Sequence, residues 1–222
     1  MINEKPILFS TDMVKAILAG NKIQTRRVVK PQFKVAHEVF TYQGNTYVQT
    51  ELLERDKNPL NGCIKCPYGQ AGDKLWVREA WQAAKEHGEY DKSSVMYKAD
   101  ITQRDLDYEG CDWDWRPSIF MPRKFSRITL EITEARVQRV QEISEADAIA
   151  EGIPAFAPNG IIQESTIPRK QYSVLWDKIN GKVHNRQFTL DDKSNRHWVK
   201  DQVGEYSWSS NPWVWCISFK RI

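Results

Sequence analysis

The chain has 222 residues, with 32 basic and 29 acidic side chains, a net charge of +3 and a pI near 8.6. A 41% hydrophobic share, including nine Trp, is enough for the core of one elaborated domain. Charge this close to balance does not mark a polyanion-binding chain by itself, and no apolar run reaches the roughly 20 residues of a membrane-spanning helix.

In chain order, Pro6–Phe9 is a short apolar run that predicts a strand. Ser10, Thr11 and Asp12 offer a helix N-cap, Met13, Val14, Ile17 and Leu18 repeat at helical spacing, and Gly20 suits the C′ position. A short helix is therefore expected over Thr11–Ala19, with Lys22 and Thr25 just beyond its end, held by a rigid element and free to face a cleft. From Met13 to His37 there is no acidic residue, while Lys15, Lys22, Arg26, Arg27, Lys30 and Lys34 are all basic. That run gives a local positive field of the kind a polyanion finds.

Residues 33–68 are less regular, with a hairpin expected about Gln43-Gly44-Asn45. Leu75–Trp81 alternates as a strand, placing Leu75, Val77, Glu79 and Trp81 on one face and Trp76, Arg78 and Ala80 on the other. Gln82–Pro122 is polar, aromatic and charged and reads as an insertion with one or two short strands. Arg127–Thr133 alternates again with Ile128, Leu130 and Ile132 inward, and Val137 and Val140 suggest that it continues or turns back.

Ile143–Gly152 is a punctuated short helix: Ser144 at the N-cap, Asp147 three residues later, Gly152 at C′. Glu151 then falls in its last turn, where the helix dipole disfavours an anion by about 0.3–1 kcal/mol unless a cation such as Lys22 lies close. Ala155–Pro168 reads as a loop. Gln171–Ile179 reads as a helix burying Tyr172, Leu175, Trp176 and Ile179, stopped by Asn180-Gly181. Gly181–Asn211 is polar and reads as surface. The final PWVWCISFKRI is a strand with Trp213, Trp215, Ile217 and Phe219 on one face. Short alternating strands with two or three small helices predict an α+β chain built on a compact β-barrel.

The N-terminal segment lacks a secretory hydrophobic region, and Cys63, Cys66, Cys111 and Cys216 do not make a disulfide framework at this length, so a cytoplasmic protein is expected. Cys63-Ile64-Lys65-Cys66 has zinc-knuckle spacing, but a structural zinc needs four ligands, usually as two pairs, and Cys111, Cys216, His184 and His197 supply no second pair. No metal and no cofactor is expected.

The motif order resembles the ASCH domain family (activating signal cointegrator homology) of the PUA-like superfamily, in the larger form common in phages and prophages. The matching runs are GNKIQTRR, GDKLWVRE, ITLEITEARV, ISEADAIAEGI, YSVLWDKING and WVWCISFKRI. The resemblance implies one PUA-like domain over residues 1–222, a small mixed β-barrel flanked by short helices, with insertions at 33–65, 82–122 and 182–211. The family's Gly-x-Lys-Thr-x-Thr-x-Arg signature reads here Gly20-Asn21-Lys22-Ile23-Gln24-Thr25-Arg26-Arg27, with Ile23 in place of the first threonine. Small members hydrolyse the acetyl amide of N4-acetylcytidine through a lysine, a threonine and a glutamate. Matching by motif gives Lys22, Thr25 and Glu151.

Amide hydrolysis needs a nucleophile, a proton acceptor and a holder for the oxyanion. Thr25 would attack the acetyl carbon or orient a water, Lys22 would accept its proton, and Glu151 would pass that proton to the leaving amine. The alternative is an ion pair that only ties two helix ends together. Arg26, Arg27, Lys30 and Arg78 are candidates for phosphate or sugar. Trp81 is a candidate for base stacking and Glu79 for a base edge, with core packing and an arginine partner as their respective alternatives. The expected partner is RNA or a modified nucleoside. The alternative activities are RNA binding without turnover and a metal-independent ribonuclease.

Overall fold

The computed structural model describes residues 3–50, 60–86, 89–90, 92–102, 105, 114–155, 167–181, 188–190, 196–198 and 204–222. Fourteen strands and three α-helices are described among them: β1 Glu4–Leu8, α1 Thr11–Leu18, β2 Gln24–Val28, β3 Glu38–Tyr42, β4 Asn45–Gln49, β5 Cys63–Lys65, β6 Lys74–Arg78, β7 Trp81–Gln82, β8 Lys85–Glu86, β9 Glu89–Tyr90, β10 Met96–Tyr97, β11 Thr129–Arg139, α2 Glu145–Ala150, α3 Pro168–Asn180, β12 Phe188–Leu190, β13 Arg196–Trp198 and β14 Trp213–Arg221. The chain is mixed α+β, and among the described residues no helix is long and apolar enough to cross a membrane.

The main sheet has five strands in the order β1-β6-β11-β14-β2, parallel between β1 and β6 and antiparallel elsewhere. β3, β4 and β5 form a separate three-stranded sheet. The hairpin turn falls on Gln43 and Gly44, both at positive φ (46° and 70°), the conformation a two-residue hairpin loop requires.

The sheet buries both of its faces. On one, Leu75, Val77, Leu130, Ile132, Trp215, Ile217 and Phe219 pack with Val14 and Ile17 of α1 and Val48 of β4. On the other, Val214 packs with Val140, Ile143, Ala148, Tyr172 and Trp176, so that α2 and α3 cover it. This double burial explains why β14 is buried at four successive positions, 214–217, rather than at alternate ones.

Several expectations are corrected. The described strands do not close into a barrel: β1 and β2 remain the two edges. They are joined by one side-chain contact, Arg27 Nη2 donating to the Leu8 carbonyl at 2.5 Å, where a barrel would need a ladder. Thr25, Arg26 and Arg27 are not in a segment trailing α1 but inside β2, because pairing with β14 draws that polar run into the sheet. The strand expected over Leu75–Trp81 ends at Arg78, and Trp81 belongs to β7, paired with β10. Trp81 packs with Met121 and Phe125 in a third cluster. β11 runs on through Val137 to Arg139, past a register shift between Ile132 and Glu134. Ile179 is 47% exposed and only the Tyr172–Trp176 side of α3 is buried. Expectations for Cys111, His184 and most of the 155–168 and 182–203 stretches lie outside the described residues.

The helix caps fall where the sequence puts them. The Ser10 hydroxyl accepts from the Met13 N–H at 3.4 Å, and Ser144 accepts from Asp147 N–H at 3.0 Å. Gly152 takes φ +94°, and a Cβ there would meet Ala16 Cβ at 3.1 Å and Lys22 Cβ at 3.2 Å. This close approach docks the end of α2 against α1. Gly152→Ala is therefore expected to destabilise the fold by roughly 1–3 kcal/mol, read as a lower urea midpoint with unchanged slope.

Candidate ligand site around the Lys22–Glu151 ion pair

Lys22 follows the turn at Gly20 and forms an isolated antiparallel bridge with Glu151, the C-cap of α2. Two distant stretches of chain are thus stitched by main chain before their side chains meet. Ile23 N–H donates to the Ala150 carbonyl at 2.9 Å on the same seam.

The Lys22 side chain is fully buried. Its ammonium donates to Glu151 Oε2 at 2.7 Å, to the Glu151 carbonyl at 2.8 Å and to the Gln24 carbonyl at 2.8 Å. An ammonium has three donors, so all three are used. Burial pushes the Lys22 pKa below its ordinary value, against the pull of Glu151. The Phe9 ring lies 5.7 Å from Nζ and also receives the Arg27 guanidinium at 5.2 Å.

Glu151 is held by a second cation. Arg26, its side chain also fully buried, donates Nη1 to Glu151 Oε1 at 3.1 Å and to Gln24 Oε1 at 2.6 Å, and Nη2 to Asp147 Oδ2 at 2.8 Å. Asp147 is shared in turn with Arg136, which also binds Glu134. Lys22, Gln24 and Arg26 alternate along one side of the chain, as strand periodicity requires, and together they clamp the end of α2.

A cavity of about 530 Å³ lies beside this network, within the roughly 300–1,000 Å³ usual for small-molecule sites. Thr25, Arg26, Arg27, Val28 and Glu151 line one side, Phe9 and Met13 a second, and Tyr172, Trp176 and Tyr206 a third. Lys30 completes the lining, its ammonium 5.0 Å from the Tyr206 ring. Among the described residues the Thr25 side chain makes no hydrogen bond, and the buried Nε–H groups of Arg26 and Arg27 have no partner. Burial raises the Tyr172 hydroxyl well above its ordinary range, so it stays protonated.

Thr25 and Glu151 share the cavity lining, Lys22 is bonded to Glu151 from outside that lining, and strand alternation turns Thr25 to the other face of β2 from Gln24 and Arg26. Arg26, Arg27 and Lys30 also line the cavity, Arg26 already committed to Glu151 and Asp147. Arg78, Glu79 and Trp81 lie elsewhere. Arg78 stacks on Trp76 at 4.7 Å and donates to the Ile119 carbonyl at 3.0 Å. Glu79 is buried in a two-point ion pair with Arg127, which also binds Asp100. Trp81 is 1% exposed. Cys63 and Cys66 lie at β5, and among the described residues no metal-capable group of three His, Cys, Asp or Glu gathers.

Sequence reasoning missed Gln24, Asp147 as an ion partner, and Tyr206. The even spacing of Lys22, Gln24 and Arg26 was a usable signal for Gln24 once β2 is taken as a strand. Nothing local marks Tyr206, which reaches the cavity because its carbonyl accepts from Trp176 Nε1 at 2.7 Å. No protein-family model, no curated protein and no solved structure matches this chain.

Two predictions follow from the network. Lys22→Met leaves the Glu151 carboxylate buried with one cation fewer and is expected to destabilise the protein by roughly 3–5 kcal/mol in urea titration. The second concerns Cys216, buried opposite Arg26 on β14, where burial pushes the thiol from 9.0 up to about 12. A raised folded-state pKa contributes stability that is full below pH 9 and is lost as pH climbs toward 12. Stability should fall above pH 9, and the Cys216→Ala slope should be shallower by up to about 1.4 kcal/mol per pH unit.

Proposed function

We propose that this chain is an ASCH-type, PUA-like protein that binds a modified nucleoside, free or within RNA, and hydrolyses the acetyl amide of N4-acetylcytidine. The observation that carries this reading is the meeting of Thr25 and Glu151 in one nucleoside-sized cavity, with Lys22 bonded directly behind Glu151. In this reading the sheet is an open variant of the PUA-like barrel, with the ligand seated beside the gap between β1 and β2, and the protein works in the cytoplasm.

In this reading the proton that joins Lys22 to Glu151 across 2.7 Å moves onto the carboxylate when substrate binds, and burial, which lowers the Lys22 pKa, favours the neutral amine that then acts as base. The Thr25 hydroxyl then adds to the acetyl carbon, its proton passing by way of Glu151 to the amine behind it. Arg26 and Arg27 line the same cavity and carry the positive charge an oxyanion needs. Collapse breaks the C–N4 bond, with Glu151 returning a proton to N4, and cytidine leaves. Water then cleaves the threonine ester, releasing acetate and restoring the hydroxyl.

One observation favours a second reading, binding without turnover. All three Lys22 donors already have acceptors, as suits an ammonium that only holds Glu151 in place. Incubation with N4-acetylcytidine, following cytidine by chromatography, separates the two. Under the hydrolase reading the wild type turns over and Thr25→Ala loses at least about 100-fold in kcat, with nucleoside affinity retained. Full activity in Thr25→Ala removes the nucleophile role. Absence of turnover in a wild type that still binds leaves the binding reading.

A further inference from the structure

Cavities that rest on one face of a sheet are lined by alternate residues of a strand. This one is lined by four in succession, Thr25, Arg26, Arg27 and Val28. It also touches both layers, Phe9 and Met13 beside α1 and Tyr172 and Trp176 of α3. Both facts follow if the cavity lies along the outer edge of β2, between the two layers that cover the sheet.

The register of β2 on β14 says which main-chain groups face that edge. Val29 N–H donates to Trp213 carbonyl at 3.0 Å and Phe219 N–H to Ile23 carbonyl at 2.9 Å. The alternation of an antiparallel ladder then turns the N–H and C=O of Thr25 and Arg27 toward β14 and those of Gln24, Arg26 and Val28 away. The Gln24 carbonyl, on the outer side, is taken by Lys22 Nζ. Among the described residues the outward N–H and C=O groups of Arg26 and Val28 have no partner.

This open stretch is short. The Lys22–Glu151 bridge covers the edge before it, and β2 itself ends at Val28. Two outward residues span about 7 Å, one heterocyclic ring and not a peptide strand. Main-chain donors and acceptors in alternation match the edge of a nucleobase, and the aromatic rings of Phe9, Tyr172, Trp176 and Tyr206 offer it planar neighbours.

We infer that the main chain of Arg26 and Val28 reads the hydrogen-bonding edge of the bound base. This rests on the proposed nucleoside reading and adds the element that selects the base. Base choice is then set by backbone, so side-chain truncation along β2 weakens binding without changing which base is preferred.

Amide hydrogen exchange by NMR on the full chain, free and with saturating cytidine or N4-acetylcytidine, tests it. In the free protein the Arg26 and Val28 amides should exchange at least about tenfold faster than those of Thr25 and Arg27, and either nucleoside should slow them by about tenfold or more. Equal, slow exchange in the free protein overturns the open edge whatever binds. Binding without protection of these amides overturns base reading and leaves the hydrolase proposal standing. Binding with protection but without turnover upholds the inference and overturns only the hydrolysis. Failure of both nucleosides to bind overturns both.

Discussion

A lysine ammonium with no exposure to solvent must satisfy every donor it has or leave the interior. Lys22 meets that demand with the carboxylate of Glu151 and the carbonyls of Glu151 and Gln24. Those acceptors come from the end of α2 and the start of β2, so satisfying one side chain fixes the relation of two elements 129 residues apart. Buried ion pairs contribute little net stability compared with apolar packing. What this one supplies is position: Glu151 cannot shift without stranding a charge, and Arg26, bound to the same carboxylate and to Asp147, holds it from the other side.

The rest of the site is a consequence of where the sheet stops. Apolar clusters cover both faces, one under α1 and one under α2 and α3. Among the described residues no further strand lies beyond β2 to keep the two layers filled, and the cavity lies there. Its floor is therefore chemically mixed. Strand edge supplies main-chain polar groups, the flanking layers supply aromatic rings, and the basic run supplies Arg27 and Lys30. Such a lining suits a flat, polar, weakly anionic molecule better than a hydrocarbon or a bare anion.

Arg127, Glu79 and Asp100 show the same chemistry used for a different end. Burial raises the Glu79 carboxyl against the pull of Arg127, and the pair joins the end of β6 to the stretch before β11. Trp81 packs next to this region against Phe125, with ring centroids 5.0 Å apart. A tryptophan and an acid on one strand face look like a base-binding pair in the sequence; in the fold Glu79 is taken by Arg127 and Trp81 is packed with Met121 and Phe125.

Local chemistry determined the helix caps at Ser10 and Ser144, the Gln43-Gly44 turn and the apolar alternation of β14, because each depends on residues within a few positions of one another. The pairing of Lys22 with Glu151 was legible as a need: an anion at a helix C-terminus and a lysine after a helix end each require a partner. That β2 is a strand was not legible, since QTRRV has no alternation of apolar residues and becomes extended only by pairing with β14. Nor could periodicity place Tyr206 at the cavity, commit Arg26 to Asp147 and Glu151, or leave the sheet open between β1 and β2. Those outcomes depend on contacts between distant segments, and only the packed chain sets which charges are buried, which must therefore pair, and which edge is left for a ligand.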